Sequence, residues 1–230
     1  MKILIVTATP LEIRPLLDQL ILSEVMNDHL TCYSYQDASI HFLITGIGMV
    51  QTAYYTTRQL ALDHYDFAIN AGICGSYHTG IQVGKVVHVR EEIISEMGAT
   101  NNKDFYSVFQ LGLVDPDEYP YHDGKLINDV TINSVCMMKL PQVRGCTVNR
   151  INSNEENILR MLERFKPDVE SMEGAAFLYS CLMEKVPCLE IRAVSNYVRE
   201  LDRSNWNVQL ALKNLNKTLL KILEDVIEGE

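Results

Sequence analysis

Two charged residues of this chain lie within apolar segments, where a charge needs a partner. Glu173 stands between Met172 and the apolar run at 175–177, and Arg192 interrupts the strand-like segment LEIRAV. A buried carboxylate or guanidinium is costly unless it is paired, so these side chains belong either to a structural ion pair or to a binding site. The residues alone leave both interpretations open.

Two further polar residues lie at the ends of predicted elements. Glu12 falls in the first turn of a helix, where a carboxylate is favourable at the positive end of the dipole, and Asn196 follows a strand, where it could be a turn residue. In open α/β sheets, ligands bind beyond the carboxyl ends of the strands. The candidate strand ends, together with one helix start, are residues 7–12, 46–48, 71–76, 195–196 and 169–174.

The chain has no pattern typical of a cofactor or metal site. The glycine segments GIG and AGICG lack the spacing of dinucleotide-binding and P-loop fingerprints. Its six histidines and six cysteines form neither H-x-x-x-H nor C-x-x-C. We therefore expect no metal and no cofactor.

Alternating patterns of strands and helices predict the scaffold that positions these residues. Strands are predicted at 2–6, 31–36, 39–45, 65–70, 85–90, 143–148 and 188–194, and helices at 9–20, 50–64, 154–165, 173–185 and 205–227. Ser153 is the predicted cap of the third helix. Residues 71–76 are predicted to form a glycine-containing turn, and 96–128 to form long loops. We expect a single α/β domain over residues 1–230.

Composition limits the partners and the compartment. The formal net charge is -10, from 30 acidic and 20 basic residues, and a field of that sign repels nucleic acids and anionic lipid surfaces. The N-terminus lacks the features of a signal peptide, and no segment is apolar for long enough to cross a bilayer. We expect a cytoplasmic protein with reduced thiols and a small-molecule substrate.

Segments along almost the whole chain resemble the purine nucleoside phosphorylase and nucleosidase superfamily. These segments are MKILIVTATPLE, TGIGMV, NAGICGSYHTGIQVGKVV, VESMEGAAF and IRAVSNYVRELDRSNW, of which the last two are the most specific. Residues 96–145 match poorly. Within the superfamily the chain is similar to methylthioadenosine/S-adenosylhomocysteine nucleosidases and, more closely, to futalosine hydrolases. The resemblance implies a three-layer α/β/α sandwich around a central mixed twisted sheet, and a homodimer or larger homo-oligomer.

The resemblance also implies a role for each matching residue. Glu12 matches the carboxylate that activates water, and Arg192 matches a basic group near that water and the sugar. Met172 and Glu173 match the pair that packs on the ribose and accepts its hydroxyl hydrogen bonds. The turn that makes backbone contacts beside base and sugar matches Ile73, Cys74 and Gly75.

Asn196 departs from the pattern of the methylthioadenosine enzymes, which carry an aspartate at this place. That aspartate donates a proton to adenine N7, and an asparagine amide cannot. The amide can instead donate from its NH₂ to O6 of a 6-oxopurine while its carbonyl accepts from N7–H. The departure favours hypoxanthine over adenine as the leaving group.

The segment 8–12 departs from the phosphorylases, which hold phosphate there with a Gly-Asp-Pro and arginine cluster. This chain has ATPLE, and a carboxylate at that place repels phosphate and suits water. The resemblance thus implies hydrolysis of the N-glycosidic bond of futalosine in menaquinone biosynthesis. Arg150 and Arg144 are candidate cations for the carboxylate beyond the 5′ end of that substrate.

Three alternatives remain open. The chain could be a methylthioadenosine-type nucleosidase or an inosine-type phosphorylase on the same scaffold. It could also be a nucleoside-binding protein without activity. Loss of Glu12 or Glu173 would have favoured that alternative, but both residues are present. Turnover assays separate the three.

Overall fold

The structure, a computed structural model, describes residues 1–101, 104–151, 153–199 and 203–229. Its strands are β1 (Lys2–Thr7), β2 (Ile21–Val25), β3 (Leu30–Tyr35), β4 (Ala38–Ile44), β5 (Phe67–Ser76), β6 (Val86–Ile94), β7 (Gly98–Asn101), β8 (Asp104–Ser107), β9 (Tyr121–His122), β10 (Lys125–Ile127), β11 (Gln142–Thr147), β12 (Val169–Ser171) and β13 (Cys188–Tyr197). Its helices are α1 (Pro10–Leu17), α2 (Met49–Leu62), α3 (Val135–Met138), α4 (Glu155–Phe165), α5 (Gly174–Glu184) and α6 (Val208–Glu228). The predicted alternation of strands and helices is confirmed.

One mixed sheet of 11 strands organises the described residues, in the order β2-β3-β4-β1-β5-β12-β11-β6-β10-β9 with β13 paired to β5 and β6. Parallel pairs join β1 to β4 and β5, β5 to β13, and β11 to β6 and β12, whereas β13 to β6 and β12 to β5 are antiparallel. Because β13 bridges β5 and β6, the strands β5, β12, β11, β6 and β13 close into a ring. The prediction of a mixed twisted sheet did not include this closed ring of strands.

Helices cover both faces of the sheet, as the alternation of apolar residues along β1 requires. Ile3 and Ile5 pack in one core with residues of α1, α3 and α6. Leu4 and Val6 point to the opposite face and pack in a second core with α2 and α5. A three-layer α/β/α arrangement around a mixed sheet is therefore confirmed.

Several predicted boundaries are wrong, and the largest error concerns residues 71–76. The sequence predicts a glycine-containing turn there, but β5 continues through Ser76 and pairs with β12 and β13. Its glycines give space to neighbouring side chains rather than reversing the chain. Strand β13 likewise extends past Val194 to Tyr197, across an irregularity between Val194 and Asn196.

Smaller differences have local causes. Helix α1 ends at Leu17, three residues before its predicted end at residue 20. The cap of α4 is Asn154 rather than the predicted Ser153, because the Asn154 side chain accepts a hydrogen bond from Asn157 N. The predicted loops at 96–128 contain the β7–β8 hairpin and the short strands β9 and β10. Strand β2 is exposed along its whole length, so it lacked the alternation that would have identified it. No helix in the described ranges is long and apolar enough to span a membrane.

Candidate active site

The predicted site residues converge at one edge of the sheet. Glu12 follows β1, the GIG segment follows β4, and Gly75 lies in the last third of β5. Glu173 caps the start of α5, and Asn196 lies near the end of β13. The structure brings these residues together, as the rule on strand ends predicts.

Glu12 is buried, and hydrogen-bond donors surround its carboxylate. Its Oε2 accepts from Thr7 Oγ1 at 2.8 Å and from Thr9 N at 2.9 Å, while Oε1 accepts from Ile73 N at 3.2 Å. The bond from Thr9 closes the first turn of α1, so Glu12 caps the helix in addition to lying at the positive end of its dipole, as the sequence predicts. The bond from Ile73 also fixes the carboxylate against the middle of β5.

Arg192 is 1% exposed and lies among carboxylates. Its Nε donates to Glu190 Oε1 at 2.8 Å, its Nη1 lies 3.7 Å from Glu173 Oε2, and its Nη2 bonds Asn70 Oδ1. Burial acts to lower the pKa of Arg192, but the charges of Glu190, Glu173 and Glu12 outweigh burial and raise it, so the guanidinium stays charged. We call Glu12, Glu173, Glu190 and Arg192 the charged cluster.

Gly72 makes the approach of Arg192 to Glu12 feasible. A Cβ on Gly72 would lie 2.3 Å from Arg192 Nη1 and 2.9 Å from Glu12 Oε1. Both groups therefore occupy the space that a side chain would fill. Any larger residue at 72 would force the cation and the carboxylate away from β5.

Glu173 links the charged cluster to the loop after β4. Its Oε1 accepts from Gly48 N at 3.0 Å, while Oε2 faces Arg192. Burial raises the pKa of Glu173 above its ordinary value, although Arg192 and the Gly48 amide act to lower it. Glu190 is the structural partner of Arg192, so the ion-pair interpretation of this arginine is correct, while its role in a site stays a prediction.

The neighbouring Glu92 explains how two carboxylates can be buried side by side. Burial and the charge of Glu190 raise the pKa of Glu92 well above its ordinary value, which favours its neutral acid form. Thr147 Oγ1 donates to its Oε2 at 2.8 Å. The sequence analysis missed Glu92 and Glu190. The i, i+2 spacing of Glu190 and Arg192 on one strand places them on the same face, and would have identified Glu190.

Asn196 has an amide orientation set by its neighbour in the chain. Ser195 Oγ donates to Asn196 Oδ1 at 2.7 Å, and Asn196 Nδ2 donates to Tyr197 O at 3.2 Å. The second N–H of Nδ2 has no partner within the described residues. One donor is thus left available in a buried position.

Three residues form a row across the sheet beside the charged cluster. Gly75 pairs with Glu170 of β12 on one side and with Asn196 of β13 on the other. Paired residues project from the same face of a sheet, and the central one here has no side chain. A Cβ on Gly75 would lie 3.3 Å from Asn196 Nδ2 and 3.4 Å from Glu170 Cγ. We call Glu170, Gly75 and Asn196 the glycine row.

Glu170 is 6% exposed and pairs with a tyrosine. Tyr77 OH donates to its Oε2 at 2.6 Å. Burial raises the pKa of Glu170 to about 7, with a further rise from Glu96, while the bond from Tyr77 acts to lower it. The sequence analysis assigned no role to this residue, because its neighbours Val169 and Ser171 gave no pattern.

The remaining predicted residues surround these two groups. Ile73 packs its side chain in the core of the α1 and α6 face, and its N–H is already used by Glu12. Cys74 points into an apolar cluster with Val87 and Val89, and burial raises its pKa, so its thiol stays protonated. Met172 is half-buried and packs against the cluster that contains Met161.

The two candidate cations for the 5′ side lie in different settings. Arg150 lines a cleft of about 420 Å³ together with Arg160, Arg164 and Phe105. Arg144 is half-exposed on β11, and its Nε lies 3.6 Å from Asp168 Oδ2. No described ion pair or hydrogen bond involves Arg150, which leaves its guanidinium available.

No group of three or more His, Cys, Asp or Glu side chains within the described ranges is arranged to hold a metal ion. The groups described above that could contact a ligand are carboxylates, one guanidinium and amides. Such groups bind a polar, uncharged sugar and a heterocycle, and a fixed carboxylate can take a proton from water.

Comparison with known proteins identifies the family. The family model of the phosphorylase superfamily matches residues 2–228. The futalosine hydrolase of Thermus thermophilus is 27% identical over 187 residues, which cover 80% of this chain and 81% of that protein. The 5'-methylthioadenosine/S-adenosylhomocysteine nucleosidase of Bacillus pumilus is 35% identical over 204 residues, covering 85% and 86%.

Solved structures share the fold. The native structure of futalosine hydrolase of Helicobacter pylori superimposes with a TM-score of 0.79 at 17% identity, covering 100% of this chain and 98% of that one. Of the two relatives, one is named a hydrolase and the other a nucleosidase. The chain belongs to the phosphorylase superfamily.

Proposed function

We propose that this chain is a nucleosidase that hydrolyses the N-glycosidic bond of futalosine, releasing hypoxanthine and dehypoxanthine futalosine in menaquinone biosynthesis. The observation that carries the proposal is the meeting of Glu12, Glu173 and Arg192 in the charged cluster, where Glu173 Oε2 lies 3.7 Å from Arg192 Nη1. In this arrangement Glu12 activates water, and Glu173 accepts the hydrogen bonds of the ribose hydroxyls. The half-buried Met172 packs on the ribose.

Electrostatics favour water over phosphate as the nucleophile. A phosphate needs uncompensated positive charge, but Arg192 is already paired with Glu190 and lies beside Glu173 and Glu12. With three carboxylates around one guanidinium, the charged cluster repels an anion. A neutral water molecule meets no such barrier.

The reaction follows from this geometry. The C1′–N9 bond breaks through an oxocarbenium-like transition state, and its electron pair leaves with the purine. Water adds to C1′ while Glu12 takes its proton, and solvent supplies the proton that the departing purine gains at N7. Thr7, Thr9 and Ile73 fix the Glu12 carboxylate through the bonds described above. The positive charge of the sugar in the transition state is favoured by the negative charge of the cluster.

Asn196 is the proposed group that receives the departing base. Its Oδ1 accepts from Ser195, so its free N–H lies on the side of Gly75. This donor meets O6 of hypoxanthine, and the remaining lone pair of Oδ1 meets N7–H. Backbone groups of Cys74 and Gly75 border the base in this arrangement.

A methylthioadenosine/S-adenosylhomocysteine nucleosidase is the second candidate, because the Bacillus pumilus relative of that name is 35% identical. Asn196 argues against it, since an amide cannot supply the proton that a departing adenine takes at N7. The Thermus thermophilus relative supports futalosine.

The cleft beside α4 supports Arg150 over Arg144 as the contact for the carboxylate of futalosine. Arg144 is engaged by Asp168, whereas Arg150 faces a cleft that it shares with Arg160 and Arg164. The ring of Phe105 lines the same cleft with the Arg164 guanidinium 4.6 Å from its centre, and Glu96 lies there too. The three arginines outnumber the one carboxylate, so the cleft offers positive charge to an aryl carboxylate.

We also propose that residues 1–230 act as one domain in a cytoplasmic homo-oligomer. Apolar side chains are exposed next to the site at Ile47 (57%), Val50 (82%) and Tyr54 (58%). Val50 and Tyr54 are four residues apart on α2 and so share one face. A second copy of the chain would cover this surface.

The test is base release from four nucleosides in phosphate-free buffer: futalosine, aminodeoxyfutalosine, methylthioadenosine and inosine. We expect hypoxanthine from futalosine at the highest kcat/KM. Faster release of adenine from methylthioadenosine would replace the first candidate with the second. Tight binding of every nucleoside without turnover of any would indicate a binding protein.

A further inference from the structure

Helix α1, which carries Glu12, is weak by its own sequence. It has only 8 residues, Pro10–Leu17, and Pro15 lies inside it. A helix this short is marginal in water. The internal proline also removes one hydrogen bond of the helix, because it has no N–H to donate to the carbonyl four residues earlier. The position of Glu12 therefore depends on support from the rest of the fold.

Asn216 of α6 gives this support from a position that is 2% exposed. Its Oδ1 accepts from Leu16 N at 3.0 Å, and its Nδ2 donates to Glu12 O at 2.8 Å. An α-helix joins the N–H of each residue to the carbonyl four residues earlier, so Leu16 N and Glu12 O are the two ends of one turn. Pro15 lies within that turn. The amide of Asn216 therefore ties both sides of the proline to α6.

Hydrogen bonds also fix the orientation of the Asn216 amide. Its Nδ2 donates a second bond to Leu212 O at 2.7 Å, one turn earlier in α6. If the amide were flipped, its NH₂ group would face the N–H of Leu16, and its oxygen would face the carbonyl oxygen of Glu12. Both contacts would be repulsive. Asn216 therefore has one orientation, and its three bonds connect α6 to α1.

Glu12 is held at its side chain and at its backbone. Thr7, Thr9 and Ile73 donate to its carboxylate. Asn216 donates to its carbonyl oxygen from a position 204 residues further along the chain. A displacement of about 1 Å at a reacting group can lower a rate by about 10²-fold. The bond at the backbone therefore bears on the rate as well as on the stability of α1.

We infer that Asn216 is a positioning residue that holds Glu12 in the place from which it activates water. Asn216 acts through the backbone of α1 rather than on the substrate. The inference rests on the proposed function for the role of Glu12, but it applies to the hydrolysis of any nucleoside. It predicts that a substitution in α6 lowers the rate of bond cleavage without weakening the binding of the nucleoside.

The first experiment replaces Asn216 by leucine, which has the same branched shape and makes no side-chain hydrogen bond. The substrate is the nucleoside that the wild-type chain hydrolyses fastest among the four named above. In Asn216→Leu we expect kcat to fall by roughly 10–100-fold, while KM changes by less than about twofold. Circular dichroism at the assay temperature gives the folded fraction, to which each kcat is corrected.

Asn214→Leu is the matched control. Asn214 lies on the same helix, and its Nδ2 donates to Gly84 O at 2.7 Å, a backbone group outside α1. Both variants lose amide bonds to the backbone, so both should lower the melting temperature, but Asn214→Leu should keep the wild-type kcat. An equal fall of kcat in the two variants, or a fall in Asn216→Leu that follows its folded fraction, overturns the inference.

A second substitution tests whether Asn216 compensates for the proline. Pro15 is exposed, and Pro15→Ala restores an N–H that can donate to Leu11 O within α1. In the double variant Pro15→Ala/Asn216→Leu we expect kcat to recover by roughly threefold or more over Asn216→Leu, whereas Pro15→Ala alone changes kcat by less than about twofold. No recovery in the double variant would contradict the proposed support of α1.

Asn216→Ser is the variant to use if Asn216→Leu does not fold. A serine hydroxyl can bond the carbonyl four residues earlier in its own helix, which is Leu212 O. The serine side chain is too short to join Leu16 N and Glu12 O at the same time. We expect the same fall of kcat in Asn216→Ser, and a wild-type kcat in this variant overturns the inference.

A measurement without turnover separates this inference from the proposed function. The amide of Ile73 on β5 donates to Glu12 Oε1, so its hydrogen exchange, followed by NMR, reports the position of the carboxylate. We expect the Ile73 amide to exchange faster in Asn216→Leu than in the wild-type chain and in Asn214→Leu. If no nucleoside is hydrolysed but the Ile73 amide responds in this way, only the proposed function is wrong. Equal exchange at Ile73 in the two variants overturns the inference even if futalosine is hydrolysed.

Discussion

The charged cluster and the glycine row lie side by side, yet Glu12 and Arg192 of the cluster are held by more partners than Asn196 and Glu170 of the row. The bonding of the cluster is still incomplete, because Glu190 Oε2 is buried without a hydrogen-bond partner among the described residues. In the charged cluster, Glu12 accepts from three residues and Arg192 contacts Asn70, Glu173 and Glu190. In the glycine row, one N–H of Asn196 and one oxygen of Glu170 have no partner within the described residues. A fully bonded group keeps its position during a reaction, whereas an unpaired one is free to recognise a ligand. In the proposed function, the charged cluster carries bond cleavage and Asn196 of the glycine row carries the choice of base.

Glu12→Gln should have the largest effect on rate. The amide keeps the shape and some hydrogen bonds but cannot take a proton from water, so we expect kcat to fall by about 10²–10⁴-fold. Initial rates of hypoxanthine release measure the effect. Glu24→Gln on the exposed strand β2 is the matched control and should leave kcat unchanged. Wild-type kcat in Glu12→Gln would remove this residue from the mechanism.

Arg192→Met should have the largest effect on stability. It leaves Glu190 and Glu173 buried without their cation, and breaking a buried pair in this way costs about 3–5 kcal/mol of the free energy of unfolding. Urea denaturation gives the difference. The control is Arg144→Met, which removes a half-exposed pair with Asp168 and should cost less than about 1 kcal/mol. Equal losses of the free energy of unfolding in the two variants would mean that Arg192 and its carboxylates do not form a buried ion-pair cluster.

Asn196→Asp changes the glycine row while leaving the charged cluster intact. The aspartate loses the amide donor for O6 but can carry a proton to N7, so we expect kcat/KM for futalosine to fall by about 10–100-fold and that for aminodeoxyfutalosine to rise. Parallel assays on the two substrates measure the shift. Equal losses on both would show that Asn196 does not discriminate between bases.

Arg150→Ala should have the smallest of these effects. Loss of one charge-assisted hydrogen bond to the 5′-side carboxylate raises KM for futalosine by about tenfold, with kcat little changed. Inosine lacks that carboxylate, so its KM should not move, and Arg144→Ala serves as the matched arginine control. A rise in KM for both substrates would mean that Arg150 does not bind the 5′-side carboxylate of futalosine.

The sequence predicted much of the scaffold because its strong patterns are local. The apolar run at 2–6 and the periodic helix that became α6 were correct to within a few residues. The glycines of β5 were misinterpreted, because a glycine that ends a strand and a glycine that admits a neighbouring side chain look alike in a sequence. Only the positions of Arg192 and Glu170 distinguish the two.

Candidate residues of the site could be identified from the sequence where single residues conflicted with their surroundings. Arg192 and Glu173 stood out as charges in apolar segments, and the structure brings them within an ion-pair distance of 3.7 Å. The position of Glu170 could not be found in the same way, since it lies beside Gly75 through the pairing of strands that are far apart in the chain. Strand pairing of this kind is a tertiary property that no local pattern encodes.

The most direct test of the central claim, that the charged cluster uses water, is the identity of the sugar product formed from futalosine with and without inorganic phosphate. We predict the same rate of hypoxanthine release in both buffers, and by mass spectrometry a free sugar, dehypoxanthine futalosine. Release that requires phosphate, with a sugar 1-phosphate as the product, would contradict the account.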